Sequence, residues 1–266
     1  MGYPERLKKA SLVGAFFVSV FSLGTAQALC PALGGLPAQQ VQRVVDGDTL
    51  RLVDGRSVRL IGLNAPELGR DGKPAEPFAQ AARQRLQALV AASGERVQLR
   101  LGEQRRDRYG RTLAHAYDRQ GRNLEAQLLA EGLGMFVAIA PNVALADCHR
   151  GAEAQARRGR LGLWRQAQVV QAGQLQRGGF ALVRGEVQRV ERNRGGLWLE
   201  MQGSLVLQVP SRALAEFDLA QLQALTGRQL EVRGWVVDRS RRSSQRPGQA
   251  RWLLPLTHPS MLEMLP

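Results

Sequence analysis

Acidic side chains gather around a short turn near the start of the chain. Asp46 and Asp48 flank a glycine in the run VVDGDTLRL, and Glu67 lies just past the end of a later strand-like run. A compact β-barrel can bring such positions together at one edge, and hard cations such as calcium prefer carboxylate and carbonyl oxygens. A solvated Asp-Gly turn is the alternative, and it is the favoured interpretation for the two aspartates taken by themselves.

Arginine side chains add the complementary charge. Arg59 interrupts the apolar residues Val58, Leu60 and Ile61 in a strand that otherwise reads as buried on both faces. Because a buried charge without a partner is costly, Arg59 needs an anion, either inside the protein or bound to it. The stretch DRYGRT places a second guanidinium, Arg111, on a turn between two strands.

The pattern around these residues predicts a small barrel with attached helices. The predicted strands cover residues 42–45, 49–53, 56–63, 97–101 and 112–117. The predicted helices are an amphipathic one over 78–90 that stops at Gly94, one from the Asn123 cap to Gly132, and one over 145–159.

A second barrel is predicted after a Gln- and Gly-rich segment that shows little periodicity. Its strand-like runs cover 180–190, 197–201, 205–209, 229–237 and 252–256, with a helix over 211–225. This order fits an oligonucleotide/oligosaccharide-binding (OB) barrel, which has five strands. We therefore expect a domain over 29–166, a linker over 167–179 and an OB-like domain over 180–266.

The N-terminus has the layout of a secretory signal peptide. Basic residues precede an apolar run over 11–24 and a small-residue triplet over 26–28. We expect cleavage after Ala28 and export to the periplasm or the extracellular space, with no membrane attachment afterwards. An uncleaved anchor is the alternative. In an oxidising compartment Cys30 and Cys148 can pair, and we expect this disulfide rather than a catalytic thiol.

The chain carries a strong positive charge. It has 37 lysines and arginines against 23 acidic residues, a formal charge of +14 over 266 residues, and only three of the cations are lysines. The forked donors of arginine match phosphate better than a lysine does, so polyanions are the leading class of partner. An apolar content of 44% excludes a disordered polycationic tail. Genomic base composition is an alternative source of the arginines.

Five motifs occur in order over residues 43–165: VVDGDTLRL, VRLIGLNAPE, DRYGRTLA, LLAEGLG and AEAQARRGRLGLW. In this order and spacing the chain resembles the staphylococcal nuclease family. The resemblance implies an α+β, mainly β fold, with a five-stranded OB barrel and three helices. It also implies calcium-dependent hydrolysis of phosphodiester bonds in DNA and RNA, which leaves 3′-phosphate products.

The resemblance assigns roles position by position. Arg59 and Arg111 match the phosphate-binding arginines, and Glu67 matches the carboxylate that orients or deprotonates the attacking water. The implied calcium ligands are Asp48, Asn64 and the main-chain carbonyl of Ala65, with Asp46 just outside them, and the implied substrate contacts are Tyr109 and Thr49. The metal and the two guanidiniums would then stabilise charge on phosphorus while a carboxylate takes the proton.

Three positions depart from the family pattern. Asn64 replaces a second calcium-binding carboxylate, so the metal should bind more weakly. Ala138 and Ala140 replace two tyrosines that line the nucleotide pocket, so contact with the base should be looser or supplied elsewhere. A catalytically weak or inactive tandem-OB protein that only binds nucleic acid is therefore the alternative to a nuclease.

The second barrel has its own candidate contacts with nucleic acid. Trp198 and Trp235 alternate with polar neighbours and could stack on the bases of a single-stranded or frayed nucleic acid. Basic residues fill the loop between its fourth and fifth strands: Arg239, Arg241, Arg242 and Arg246. The alternatives are tryptophans that pack against the first domain, a solvated basic loop, and a barrel that binds proteins. We expect a monomer by default.

Overall fold

The computed structural model describes residues 29–32, 34–69, 72–166, 169–240 and 249–266. The predicted signal peptide lies outside these residues, as do Arg241, Arg242 and Arg246 of the basic loop. Within the described part of the chain, no helix has both the length and the apolar character needed to cross a bilayer.

The first half of the chain forms a closed five-stranded barrel with three helices. Its elements in order are β1 (Ala38–Asp46), β2 (Thr49–Leu52), β3 (Ser57–Leu60), β4 (Leu63–Asn64), α1 (Ala79–Ala92), β5 (Arg96–Arg106), β6 (Thr112–Tyr117), α2 (Leu124–Ala130), β7 (Met135–Phe136) and α3 (Ala146–Gly159). The barrel closes in the order β1-β2-β3-β6-β5, while β4 pairs with β7 outside it. The predicted fold class is confirmed for this half.

The hydrophobic pattern accounts for these elements. Alternate residues of β2 and β3 point into the barrel, and Leu50, Leu52, Val58 and Leu60 are almost completely buried. The buried side of α1 repeats at helical spacing and covers the barrel. The Asn123 carboxamide accepts a hydrogen bond from the Ala126 N–H at 2.8 Å, so the predicted cap of α2 is confirmed.

The second half of the chain forms another ring of five strands. Its elements are β8 (Val169–Gln171), β9 (Gly179–Asn193), β10 (Gly196–Met201), β11 (Leu205–Pro210), α4 (Leu219–Gln223), β12 (Gln229–Asp238), β13 (Trp252–Pro255) and β14 (Leu262–Met264). Pairing runs β9-β10-β11-β13-β12 and returns from β12 to β9, with β8 and β14 added at the margins. The predicted second barrel is therefore present.

The two barrels share one topology. In each, the strands follow the order first-second-third-fifth-fourth and then close on the first. The single parallel pair within each ring joins the third and fifth strands, β3 with β6 and β11 with β13. A helix lies between the third and fourth barrel strands in both, as an OB barrel requires.

The two barrels meet through buried charges on α3 and β12. Arg233 donates to Glu153 at 2.6 Å, and both side chains are buried. Arg157 donates to Glu231 at 2.8 Å, and Glu231 also accepts from Arg184. These contacts join the second barrel to the helix that completes the first.

Several boundaries differ from the sequence predictions for local reasons. The strand predicted over 56–63 breaks after β3, because Gly62 adopts a positive φ of 84°. The helix predicted over 211–225 divides into a short 3-10 helix, Ser211–Glu216, and α4, which restarts where Asp218 accepts from the Gln221 N–H. Part of the predicted linker forms β8, which pairs in parallel with β9.

Cys30 and Cys148 form a disulfide, so the predicted pairing is confirmed. The bond joins residues 118 positions apart and ties the start of the described chain to α3. Both cysteines are consumed in it, and the described residues contain no free thiol.

Candidate active site

The Asp46-Gly47-Asp48 turn connects β1 to β2 and lies against α1. A Cβ added at Gly47 would come within 2.6 Å of the Ala65 Cβ and 2.7 Å of the Ala82 Cβ. Such contacts are too close for any side chain at this position. Glycine therefore lets the acidic turn pack directly against the residue that follows β4 and against the helix.

Asp48 is buried and fully engaged. One carboxylate oxygen accepts from the Thr49 hydroxyl at 3.1 Å, and the other accepts from the Ala65 N–H at 2.9 Å. Arg59 Nη2 lies 3.1 Å from that second oxygen. The Asp48 N–H in turn donates to Asp46 Oδ1 at 3.1 Å. The turn, β3 and the end of β4 are thus joined at one carboxylate.

The pKa of Asp48 is raised to about 6, chiefly by burial and also by the neighbouring Asp46 charge, while the Arg59 guanidinium acts against both. An additional cation beside the carboxylate would relieve this cost. The nearby donor set consists of oxygens, since Asp46, Asp48 and Asn64 line one cavity. Hard divalent cations favour such ligands, so these residues fit a metal of that class.

The described residues contain no cluster of three or more His, Cys, Asp or Glu side chains suited to a metal. A cation here would depend on the two aspartates, the Asn64 amide oxygen and main-chain carbonyls. The neutral amide at Asn64 therefore leaves the site with less negative charge than a third carboxylate would give.

Arg59 is held in place by three acceptors. Its Nη1 donates to the Leu60 and Leu63 carbonyls at 2.7 and 2.8 Å, and its Nη2 faces Asp48. The anion that the sequence required for this buried charge is therefore internal. These contacts account for three of the five N–H donors of a guanidinium.

Arg111 is fixed by the turn between β5 and β6. Its Nε donates to Asp107 Oδ2 at 2.7 Å, and its main-chain N–H donates to Asp107 Oδ1 at 2.9 Å. Although burial acts to raise the pKa of Asp107, hydrogen bonds from Arg111 and Tyr109 hold it below its usual value. Asp107 is thus an anionic support that orients the Arg111 guanidinium.

Glu67 is exposed beyond the end of β4. Its N–H donates to Glu76 Oε2 at 2.9 Å, and its carbonyl accepts from the Glu76 N–H. These main-chain contacts fix the segment while the Glu67 side chain lines the same cavity as Asp48 and Arg59. A carboxylate in this position is open to water.

One cavity of about 590 Å³ brings the predicted site residues together. It is lined by Arg43, Val45, Asp46, Asp48, Thr49, Arg51, Ser57, Arg59, Asn64, Glu67, Arg108, Tyr109, Arg111 and Trp235. Ala65 is not among the lining residues, but its N–H contacts Asp48. Five arginines against three carboxylates make this cleft positive, which favours a polyanion.

The sequence analysis missed three of these arginines. Arg43 and Arg51 are direct partners across β1 and β2, and Arg108 lies beside Arg111. Like charges opposite one another destabilise a sheet, so this pair of arginines is favoured only where an anion lies close to both. The equal distances of Arg43 and Arg51 from the Asp-Gly-Asp turn are the sequence signal for such an anion site.

Other predicted contacts lie elsewhere. Trp198 is on β10, where its Nε1–H donates to Asn193 Oδ1 at 2.8 Å, and it does not line the cleft. Arg239 is buried, and its guanidinium donates to the Ala250 carbonyl. The main chain at Ala138 and Ala140 contacts Met261 and Thr257, so the second barrel packs over these small residues.

Comparisons with known proteins agree with this geometry. Residues 57–166 match the model of the family described as staphylococcal nuclease homologue. The chain is 32% identical over 127 residues to Thermonuclease of Staphylococcus intermedius and 34% identical over 136 residues to Micrococcal nuclease of Shigella flexneri, covering 74% and 72% of those proteins. Each comparison covers 47% of this chain.

A third relative is matched over a smaller share of its own length. Endonuclease YncB of Bacillus subtilis (strain 168) is 30% identical over 128 residues, and the matched region is 60% of that protein and 47% of this chain. The chain thus matches less than two thirds of this relative. Through the barrel that carries Asp48, Arg59 and Arg111, the chain belongs to the staphylococcal nuclease family.

Proposed function

We propose that this protein is an exported nuclease that hydrolyses phosphodiester bonds of DNA, RNA or both with the help of calcium. The observation that carries the proposal is the positive cleft in which Arg59, Arg111 and Glu67 lie beside the buried carboxylate of Asp48. The names of the relatives support the nuclease class, and the disulfide is compatible with an oxidising compartment.

Each side chain of the cleft has its own role in the proposed reaction. Arg59 and Arg111 bind the scissile phosphate and stabilise the charge that develops on its oxygens, each held by an internal acidic partner. Glu67 accepts a proton from the attacking water. Asp48 and Asn64, with Asp46 nearby and the Ala65 carbonyl, would hold a calcium ion. When bound, that ion supplies a positive charge that stabilises the transition state.

The test is cleavage of labelled single-stranded DNA and RNA oligonucleotides by the purified protein, with calcium and with a chelator. We expect cleavage in calcium and its loss in the chelator. Arg59→Lys and Arg111→Lys keep the charge but lose the forked donors, and each should lower the cleavage rate about 100-fold.

Arg56→Lys is the matched control, because Arg56 pairs with Asp54 on the hairpin and lies outside the cleft. It should cleave like the unaltered protein. Equal rates for the control and for both cleft variants would overturn the assignment of the site.

A binding protein without turnover is the second candidate, and Asn64 is the observation that favours it. Such a protein would bind oligonucleotides in a salt-sensitive way and leave them intact in millimolar calcium.

A further inference from the structure

The cleft contains one side chain from the second barrel. Trp235 is on β12, yet it lines the same cavity as Arg59, Glu67 and Arg111 of the first barrel. Its relative exposure is 39%, so the packing of the two barrels leaves much of the indole uncovered. A tryptophan with only a structural role between two domains would be expected to lose most of this exposure.

Alternation along β12 explains how Trp235 reaches the cleft. Leu230, Val232 and Val236 are buried in the core of the second barrel. Glu231, Arg233 and Trp235 are on the opposite face, because successive side chains of a strand point to opposite sides. That opposite face is the one that meets α3 of the first barrel.

Ion pairs fix this face of β12. Arg233 is bound to Glu153, and Glu231 is bound to Arg157, with the Glu231 and Arg233 side chains almost completely buried. A buried pair of this kind depends on good geometry, since a shift of either partner leaves an uncompensated charge. The strand is therefore held in one register, with Trp235 two residues beyond Arg233 on the same face.

Phe180 supports the indole within the second barrel. It is the direct partner of Trp235 across β9 and β12, and the two rings meet edge to face with centroids 5.1 Å apart. This arrangement is favourable for aromatic pairs and limits rotation of the indole. Trp235 thus presents a preorganised aromatic surface to the cleft.

The ligand that suits this combination carries phosphates and flat rings together. Five arginines of the cleft match phosphate, and an exposed indole matches the face of a nucleobase. We propose that Trp235 stacks on a base of the nucleic-acid strand whose phosphate Arg59 and Arg111 bind, so that the second barrel completes the substrate site. This inference rests on the proposed function.

The stacking has a consequence for the choice of substrate. A base must be unpaired and unstacked to lie on the indole, so the site selects single-stranded or locally melted nucleic acid. Stacking tolerates all four bases because each has a π-face, and we expect little sequence preference from this contact.

The experiment compares Trp235→Ala, Trp235→Phe and the unaltered protein on a short single-stranded DNA, on the same strand with one abasic site, and on its duplex. Steady-state cleavage in calcium gives kcat and KM. Fluorescence anisotropy in the Glu67→Gln background gives Kd without turnover. Met264→Ala is the matched control, since Met264 is 42% exposed, belongs to the same barrel and lies outside the cleft.

We expect Trp235→Ala to raise KM and Kd for the single strand about tenfold or more, with kcat little changed. Trp235→Phe should restore most of the affinity, and Met264→Ala should leave it unchanged. An abasic site at the stacked position should weaken binding by the unaltered protein but not by Trp235→Ala, and the preference for single strands over duplex should shrink in that variant.

An unchanged KM and Kd in Trp235→Ala would overturn the stacking proposal, as would an abasic penalty that is equal in both proteins. Loss of cleavage in Glu67→Gln alongside that result would leave the proposed nuclease function intact. If the unaltered protein fails to cleave, the nuclease proposal fails, while the binding measurements still decide whether Trp235 contacts a base.

Discussion

Asp48 and Arg59 form an ion pair in the wall of the cleft, with 3.1 Å between Asp48 Oδ2 and Arg59 Nη2. Each side chain offsets the burial of the other, and the same Asp48 oxygen accepts the Ala65 N–H. The pair therefore joins the turn after β1, strand β3 and the residue that follows β4, and it orients the Arg59 guanidinium for an anion. Changes that disturb this pair should affect stability and substrate binding together.

Gly47→Ala should destabilise the protein by about 1–3 kcal/mol, because the new methyl group overlaps Ala65 and Ala82. Displacement of the turn should also move Asp48 and so lower the rate of phosphodiester cleavage. Chemical denaturation followed by circular dichroism measures the stability. Gly151→Ala is the control, since the site on α3 is open and alanine is the better helix former. Equal stabilities for the two variants would contradict the close packing of the turn.

Arg233→Ala should cost about 3–5 kcal/mol, because it leaves Glu153 buried without its partner. Arg233→Met combined with Glu153→Leu removes both charges and should be considerably milder. Denaturation curves of the two variants and the parent test this difference. If the double variant is no more stable than Arg233→Ala, the buried pair is not the source of the loss.

The disulfide should contribute about 4–5 kcal/mol, because it closes a loop of 118 residues in the unfolded chain. Cys30→Ser with Cys148→Ser, or reduction of the unaltered protein, should lower the unfolding midpoint accordingly. A reductant should have no effect on the double serine variant. A midpoint that is the same with and without the bond would contradict the prediction.

His149 should make the protein less stable as pH falls. Burial lowers the pKa of His149 to about 3, with the nearby His115 acting in the same direction. Between pH 6.5 and 3 the unfolded chain binds a proton that the native state excludes, so the free energy of unfolding drops by about 1.4 kcal/mol per pH unit. Above pH 6.5 neither state binds this proton, so His149 then causes no loss of stability.

The comparison of the unaltered protein with His149→Gln at pH 7 and pH 5 isolates this effect. The raised pKa of Asp48 acts in the opposite direction in both proteins and cancels. We expect the variant to lose about 2 kcal/mol less than the parent between the two pH values. Equal losses would show that His149 titrates normally in the native state.

Local patterns were enough to predict both barrels and the principal acidic and basic residues. Hydrophobic alternation located most strands, and the anomalous position of Arg59 in an apolar strand identified it as a paired charge. Element ends were less predictable, because the break at Gly62 depends on a backbone conformation that neighbouring sequence does not determine.

The contribution of Trp235 to the first barrel's cleft depends on how the two barrels meet. The parity of β12 marked Trp235, Arg233 and Glu231 as one face. Which surface that face would meet was decided by partners far away in sequence, Glu153 and Arg157. Periodicity reports on a single element, so it could not assign the tryptophan to this cleft.

The proposed function makes Glu67 the proton acceptor when the cleft hydrolyses a phosphodiester. The most direct test is single-turnover cleavage of a single-stranded oligonucleotide in calcium by the parent and by Glu67→Gln, with Glu103→Gln as an exposed control outside the cleft. We predict that Glu67→Gln binds the strand normally but cleaves it about 100-fold to 10,000-fold more slowly, while Glu103→Gln matches the parent. Cleavage by Glu67→Gln at the parental rate would show that Glu67 is not the proton acceptor.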